Sequence, residues 1–479
     1  FARDYIDIPQ IGGTLACAHG ALARRPSTDT MCVAMATIVR AARAPSLLLF
    51  PVAILATGLV LLATVRREVV EWQTLTGAGL FAVALVLAAV WARWRFPRAD
   101  PFLLPIAATL AAVGQVMTSR LVPDLGPRQG AWVLIGLAAM TLVSVLPSIE
   151  WLRVYRYTWA TVAILLQVLT LLFGQDPNGG GAALWFVVGP VSVQPMEGVK
   201  LLLVIFLAAY LEDYRELLTV SGKRIGPIQL PPLPYLAPIL VMIGAALMLF
   251  WLQKDLGPAL LFSAVLLSML YVASGRFSYV ALGLTLLILG FALADRVFAH
   301  VHTRVVIWLD PWTNRETIGY QLVQALYALG SGGVFGSGLA MGSPGLIPAV
   351  HTDFVIAAIG EELGLAGTLA VVCLFVLLIQ RGFTVALGAR TGFSALLASG
   401  LTAVIGVQAL IILAGTLELI PLTGITLPFV SYGGSSVVAN FVIIGLLLRI
   451  SHENAVQEVG GYATRPDVAV DAPAYRERK

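Results

Sequence analysis

FVIAAIGEELGLAGTLAVVCLFVLLIQ, residues 354–380, carries two charges, Glu361 and Glu362, in an otherwise lipid-soluble run. A helix of that length reaches roughly 40 Å, more than the ~30 Å of bilayer hydrocarbon. Its apolar residues are continuous rather than alternating, which is the pattern of a spanning helix and not of a barrel strand. Similar runs lie near 46–65, 74–92, 101–119, 131–147, 154–173, 194–211, 234–251, 256–273, 277–294, 394–418 and 434–451. They predict an all-α polytopic membrane protein of about twelve transmembrane helices. Composition agrees, with 58% hydrophobic and 12% charged residues, where soluble domains run near 25% charged.

The net charge of +4 gives no reason to expect a nucleic-acid partner. Its arrangement sets the topology instead. Arg93, Arg95 and Arg98, then Arg153 and Arg156, then Arg215, Lys223 and Arg224, then Arg276, then Arg381 and Arg390 fall in alternate loops. Under the positive-inside rule these loops and both termini are cytoplasmic. The organisation expected is a cytoplasmic segment at 1–43, an accessory transmembrane hairpin at 44–98, a core at 99–452 and a cytoplasmic tail at 453–479. Within the core, a large loop at 295–353 faces outward. Residues 1–43 show no clear period and no layout of a cleavable signal peptide. Cys17, Cys32 and Cys373 have no metal spacing.

Immediately before the opening run stands His351-Thr352-Asp353. A carboxylate at the edge of a membrane domain is costly without a partner or a task. Two readings fit it: a helix N-cap by Thr352 or Asp353, or a functional acid on the outer face. Other polar blocks point to the same face. Gln194-Pro195-Met196-Glu197 opens one span, with Lys200 three residues on, so the two charges share a helical face and form a structural ion pair. Asp255 opens another span and reads as a cap or a charge partner. Gly330-Ser331-Gly332-Gly333 through Gly338 lacks the strand and the Lys-Ser/Thr of a phosphate loop. It reads as a re-entrant or interfacial segment whose bare amides suit a diphosphate. Pro421 to Ser436 brings two prolines, several glycines and the hydroxyls of Ser431, Ser435 and Ser436 to the last span, as a tight helix entry or a polar cavity wall.

Taken together, these blocks resemble the SEDS family of bacterial shape, elongation, division and sporulation proteins (FtsW, RodA and SpoVE). The matching residues are Gln194-Pro195-x-Glu197-x-x-Lys200, then His351-Thr352-Asp353-Phe354 with Glu361-Glu362-Leu363-Gly364, and Pro421-x-Thr423-Gly424 through Pro428-Phe429-x-Ser431-Tyr432-Gly433-Gly434-Ser435-Ser436. Asp255-Leu256-Gly257 lies between them. The likeness covers roughly 101–451, the ten-helix core of that family, and leaves the hairpin as an extra. It implies a peptidoglycan glycosyltransferase that polymerises lipid II at the outer face of the cytoplasmic membrane, with a class B penicillin-binding protein as partner and membrane lipids around it. It places the essential aspartate of the family on Asp353, and the membrane Glu and Lys on Glu197 and Lys200. Three departures stand out: no arginine in Gly181-Ala182-Ala183-Leu184 before Trp185, Met196 where serine is usual, and Ala349 where glutamate is frequent.

Glycosyl transfer needs a general base for the acceptor hydroxyl and a partner for the departing diphosphate. Asp353 is the expected base. His351, Thr352, Gln194, Glu197, Lys200, Asp255, Glu361, Ser431, Ser435 and Ser436 are expected to support it or the substrate. Of Glu361 and Glu362, one faces the cavity and the other serves the interface. Lys200, Lys254, Arg296, Arg304 and Arg315 are the cations from which a diphosphate partner comes. No tightly bound cofactor is expected; a magnesium or manganese ion between Asp353 and the diphosphate is compatible with this chemistry. Two other classes share the sequence features: a flippase for the lipid-linked precursor and a non-catalytic scaffold for a penicillin-binding protein.

Overall fold

The computed structural model describes residues 47–66, 72–146, 148–176, 183–189, 191–216, 224–225, 228–229 and 233–463. The segment 1–43 and the tail beyond 463 therefore lie outside the described residues. Fifteen α-helices are described: α1 Leu49–Arg66, α2 Trp72–Arg95, α3 Leu103–Leu121, α4 Gly126–Val143, α5 Glu150–Val154, α6 Arg156–Phe173, α7 Met196–Asp213, α8 Leu233–Leu252, α9 Leu256–Ser274, α10 Phe277–Val297, α11 Ala299–Leu309, α12 Tyr320–Ser331, α13 Val355–Leu387, α14 Gly392–Thr416 and α15 Gly434–Ala463. The twelve long helices fall on the twelve apolar runs. Seven of the helices are, by length and composition alone, long and apolar enough to cross a membrane. The chain is an all-α polytopic membrane protein.

Burial sorts the helices into layers. In α7, every residue from Leu203 to Leu211 is buried, because α6 packs on one side of it and α14 on another. α14 also carries α9 and α13, and it too is mostly buried. α10 sits at the rim, where only Tyr279 and Ala294 are buried. A helix apolar on all sides suits either place, since lipid and protein interior are similar solvents for leucine.

The two accessory helices do not pack chiefly on each other: α1 lies on α3, and α2 lies on α4. Small residues allow the second contact. A Cβ on Gly130 would stand 2.4 Å from the carbonyl oxygen of Gly77, and one on Gly77 would stand 2.7 Å from that of Gly126. Gln115 of α3 donates to the same Gly126 carbonyl at 2.9 Å.

The opening run is longer and less regular than a single straight span. Helical geometry breaks at Gly364 (φ 68°, ψ −168°), and the helix then continues to Leu387. Only glycine takes that backbone without strain. The glycine-rich loop supplies the hydrogen bonds that the break forfeits: Leu365 and Ala366 donate to the carbonyls of Gly333 and Val334 at 2.9 and 3.0 Å, while Ser337 and Gly338 donate to those of Glu361 and Glu362, both at 2.9 Å. Irregular backbone at membrane depth survives only when satisfied in this way. The segment thus lies against the helices as expected, but the amides of Ser337 and Gly338 are spent on the helix break and do not face a diphosphate.

Two other stretches differ from the sequence reading. Segment 295–353 is half helical, holding α11, α12 and a 3₁₀ turn at Pro344–Leu346. α15 runs past His452 to Ala463. The basic loop after α7 contains a short antiparallel ribbon of β3 (Arg224–Ile225) and β4 (Ile228–Gln229). A second ribbon, β1 (Phe186–Val188) with β2 (Val191–Val193), pairs Phe186 with Val193 ahead of α7.

Candidate active site

Asp353 does not cap a helix. The N-cap of α13 is Phe354, and no side-chain cap hydrogen bond is made there. Thr352 donates its hydroxyl backwards, to the carbonyl of Ala349 at 2.9 Å. Asp255 likewise stands at the N-cap position of α9 without a side-chain cap bond. Among the described residues Asp255 has no ion-pair partner within 4.0 Å either, and its charge couples to Arg304 and Glu197 at longer range. Both carboxylates are therefore left to face other groups.

Four segments meet around Asp353. Residues 349–354 enter α13. The stretch from Pro421 to Ser436 locks onto them: Tyr432 donates its amide to the carbonyl of His351 at 2.9 Å, and Ser431 donates its hydroxyl to the carbonyl of Thr352 while accepting the Leu427 amide at 3.0 Å. α11 brings Arg304, whose guanidinium donates to the carbonyls of Leu422 and Thr423 at 3.1 and 3.0 Å. Trp308 fastens the same helix to the carbonyl of Glu418 at 2.9 Å. The α8–α9 turn brings Asp255, with Gly257 pressed against the Thr423 carbonyl.

Gly424 marks where they open. A Cβ built on it would lie 3.7 Å from Nη2 of Arg304 and 4.0 Å from Oδ2 of Asp353, with nothing else as near. Among the described residues no direct ion pair joins that carboxylate and that guanidinium, so both front the same small space. Lys254, Ala349 and Phe429 take positive φ (58°, 51° and 65°) in the segments that frame it. Non-glycine residues rarely hold that conformation unless tertiary contacts impose it.

Electrostatics follow from this crowding. Asp353 keeps partial contact with solvent, yet neighbouring protein surrounds its carboxyl and pushes its pKa up to about 6, against the opposing pull of the Thr352 hydroxyl and Arg304. Burial pushes Asp255 up to about 7; Arg304 opposes this and Glu197 adds to it. Burial holds the His351 imidazole below its ordinary value, which favours its neutral form.

A polar layer lies behind the opening. Glu197 and Lys200 form the expected ion pair, nearly wholly buried. Lys200 also donates to Gln408 at 2.9 Å, Gln408 donates to the Thr426 carbonyl at 2.8 Å, and the Thr426 hydroxyl meets Ser436 at 2.9 Å. Ser435 accepts the backbone amide of Gln194 at 2.9 Å, so the Gln194 backbone, rather than its side-chain amide, ties α7 to the entry of α15.

Glu361 and Glu362 serve the loop and not the opening. Glu361 accepts the Ser343 amide at 2.7 Å; Glu362 accepts the Ala340 amide at 3.0 Å and pairs with Arg120 at 2.9 Å. Among the five candidate cations, Arg304 fronts the same space as Asp353, and Lys254 acts with Arg304 on the His300 imidazole. Lys200 is buried in its pair. Arg296 is exposed, and Arg315 is exposed beside Glu316. The sequence reading missed Arg120, Arg128 (beside the Tyr432 hydroxyl), His300 and Gln408. A glutamine in the middle of a 25-residue apolar helix was the available signal for the last.

A family model for cell cycle proteins of the FtsW, RodA and SpoVE type matches residues 125–456. The chain is 40% identical over 423 residues to the peptidoglycan glycosyltransferase RodA of Mycobacterium tuberculosis, covering 85% of this chain and 89% of that one. It is 36% identical over 330 residues to a probable peptidoglycan glycosyltransferase FtsW of Thiomicrospira cyclica, covering 67% of this chain and 80% of that one. Among solved structures, it resembles a chain of a peptidoglycan synthase complex that coordinates polymerization and crosslinking. That match has a TM-score of 0.62 at 30% identity and covers 74% of this chain and 98% of that one. It also resembles the rod shape determining protein RodA of Thermus thermophilus, with a TM-score of 0.54 at 29% identity, covering 74% and 97%.

Proposed function

The chain belongs to the FtsW/RodA/SpoVE family, and from that premise we propose that it is a peptidoglycan glycosyltransferase joining lipid II units into glycan strands at the outer face of the cytoplasmic membrane. The observation that carries the reading is the small space in front of Gly424, fronted by a crowded carboxylate and a guanidinium. Asp353 accepts the proton of the acceptor sugar hydroxyl as that oxygen bonds to the anomeric carbon of the donor. A base with a pKa near 6 is ionised at pH 7 and still basic enough to take the proton. The bond to the lipid diphosphate breaks in the same displacement. Arg304 faces the charge that develops on the leaving oxygens. Ser431, Tyr432 and Thr352 hold the Asp353 backbone in register. Glu197, Lys200, Ser435 and Ser436 build the wall behind it. Asp255 shares Arg304 with Asp353.

A magnesium or manganese ion would be held loosely between Asp353 and the diphosphate, since among the described residues no group of three or more His, Cys, Asp or Glu side chains could hold one. Both termini are proposed to be cytoplasmic, from the basic loops. A class B penicillin-binding protein is the proposed partner, since the similar solved chain sits in a synthase complex.

Asp353→Asn tests the assignment. Purified chain with its partner, supplied with lipid II, should lose at least about a hundredfold in polymerisation while its elution on size exclusion stays unchanged. Normal polymerisation by that variant would refute the general-base role.

A further inference from the structure

We propose that the membrane face opposite Asp353 binds one anionic phospholipid, its phosphate in a basic cavity between α2 and α15 and an acyl chain in an adjoining groove on α4. α15 starts beside Ser435, behind the Asp353 opening, so its far turns lie at the other face. There a cavity of about 240 Å³ is lined by Arg95, Phe96, Arg449, His452, Glu453 and Val456. Its one carboxylate is already engaged, Arg449 donating to Glu453 at 2.9 Å. Among the described residues no ion pair is made by Arg95 or by Arg98, whose amide approaches His452 Nδ1 at 3.4 Å. The cavity therefore carries excess positive charge, and guanidinium groups match phosphate oxygens in geometry as well as sign.

The surroundings point to a lipid phosphate and not a free one. Trp91 and Trp94 pair at 5.4 Å between ring centres, and Trp94 is 73% exposed. Tryptophan at the end of a spanning helix marks headgroup depth. A second, apolar groove of about 560 Å³ begins at Trp91 and is walled by Ile135, Ala138, Leu142 and Val145 of the α4 region. Trp91 and Arg95 lie one turn apart on one face of α2. Ser144 joins the two spaces: its hydroxyl accepts the Trp91 indole N–H at 2.8 Å, and its carbonyl accepts Arg449 at 2.8 Å. A basic pocket between helices, with an apolar groove close beside it, suits a diacyl phosphate. A soluble phosphate would use only the first half. The bound lipid would clamp the accessory helix α2 to the last helix of the core.

The test uses the whole chain, delipidated in mild detergent and examined by native mass spectrometry with added phosphatidylglycerol or phosphatidylcholine. One phosphatidylglycerol should stay bound at detergent concentrations that strip phosphatidylcholine. Arg95→Gln should weaken its retention about tenfold, and Arg95→Lys should weaken it less. Ala138→Trp, on a lipid-exposed surface that leaves the fold undisturbed, should weaken lipid retention by filling the groove while inorganic phosphate still protects the chain in a thermal shift. Equal retention of both lipids, or no effect of Arg95→Gln, would overturn the site. Release of the lipid by millimolar inorganic phosphate with no effect of Ala138→Trp would overturn the lipid assignment in favour of a soluble anion.

Discussion

Arg304→Gln should move the acid limb of the polymerisation pH profile upward by about one pH unit. Nη2 of Arg304 and Oδ2 of Asp353 each lie within 4.0 Å of one point at Gly424, and no ion pair shorter than that is made. At a separation of ~4–8 Å, in an effective dielectric near 20, a unit charge acts with roughly 2–4 kcal/mol. Partial exposure of both groups reduces this to about 1–2 kcal/mol, and one pH unit corresponds to 1.36 kcal/mol. The sign follows from the active form. Asp353 must be ionised, the cation favours ionisation, and its loss raises the pKa from about 6 toward about 7. The assay is initial-rate polymerisation of labelled lipid II at saturating and limiting substrate from pH 5 to 8.5. Maximal rate should also fall, since the leaving-group cation is gone. Asp255→Asn is the control, because Asp255 titrates near 7 and also faces Arg304; the wild-type limb should stay with Asp353. A limb that stays near 6 in Arg304→Gln while the rate falls would refute the coupling and leave Arg304 a phosphate contact only.

Asp353→Asn should stabilise the chain at pH 7. The folded pKa of about 6 lies above the ordinary 3.8, so folding favours the proton; that contribution is complete below pH 4 and lost as pH rises through 6. The variant should gain about 1–2 kcal/mol at pH 7 and nothing at pH 4 in detergent-melt curves. Lys200→Met should cost about 3–5 kcal/mol, because it strands Glu197 in the interior; adding Glu197→Leu should recover much of the loss in the same melts. Gly130→Leu should separate α2 from α4, where only 2.4 Å is available for a Cβ; the expected readout is a sharp drop in folded yield, with Gly79→Leu, which faces open space, tolerated.

How much could be read in advance depended on the range of the physics. Helix number and position were legible because a helix in lipid must satisfy its backbone locally, so each span is written in its own ~20 residues. The Glu197–Lys200 pair was legible for the same reason, its partners being one turn apart. The break at Gly364 was not, because the residues that compensate it lie some thirty positions earlier, at Gly333 and Val334. Nor was the choice among five cations: Arg304 faces Asp353 only because α11 is fastened to carbonyls more than a hundred residues away.

The sequence by itself determined a polytopic helical membrane protein, its twelve apolar runs, and an aspartate isolated at the entry to one of them. Tertiary structure alone decided what that aspartate faces. It withheld the helix cap from Asp353, spent the glycine-loop amides and both adjacent glutamates on a helix break, and left one carboxylate and one guanidinium facing the opening at Gly424. Hydropathy is a property of each segment and survives reading one segment at a time. The pairing of charges depends on distance between segments, which only the packed helices set.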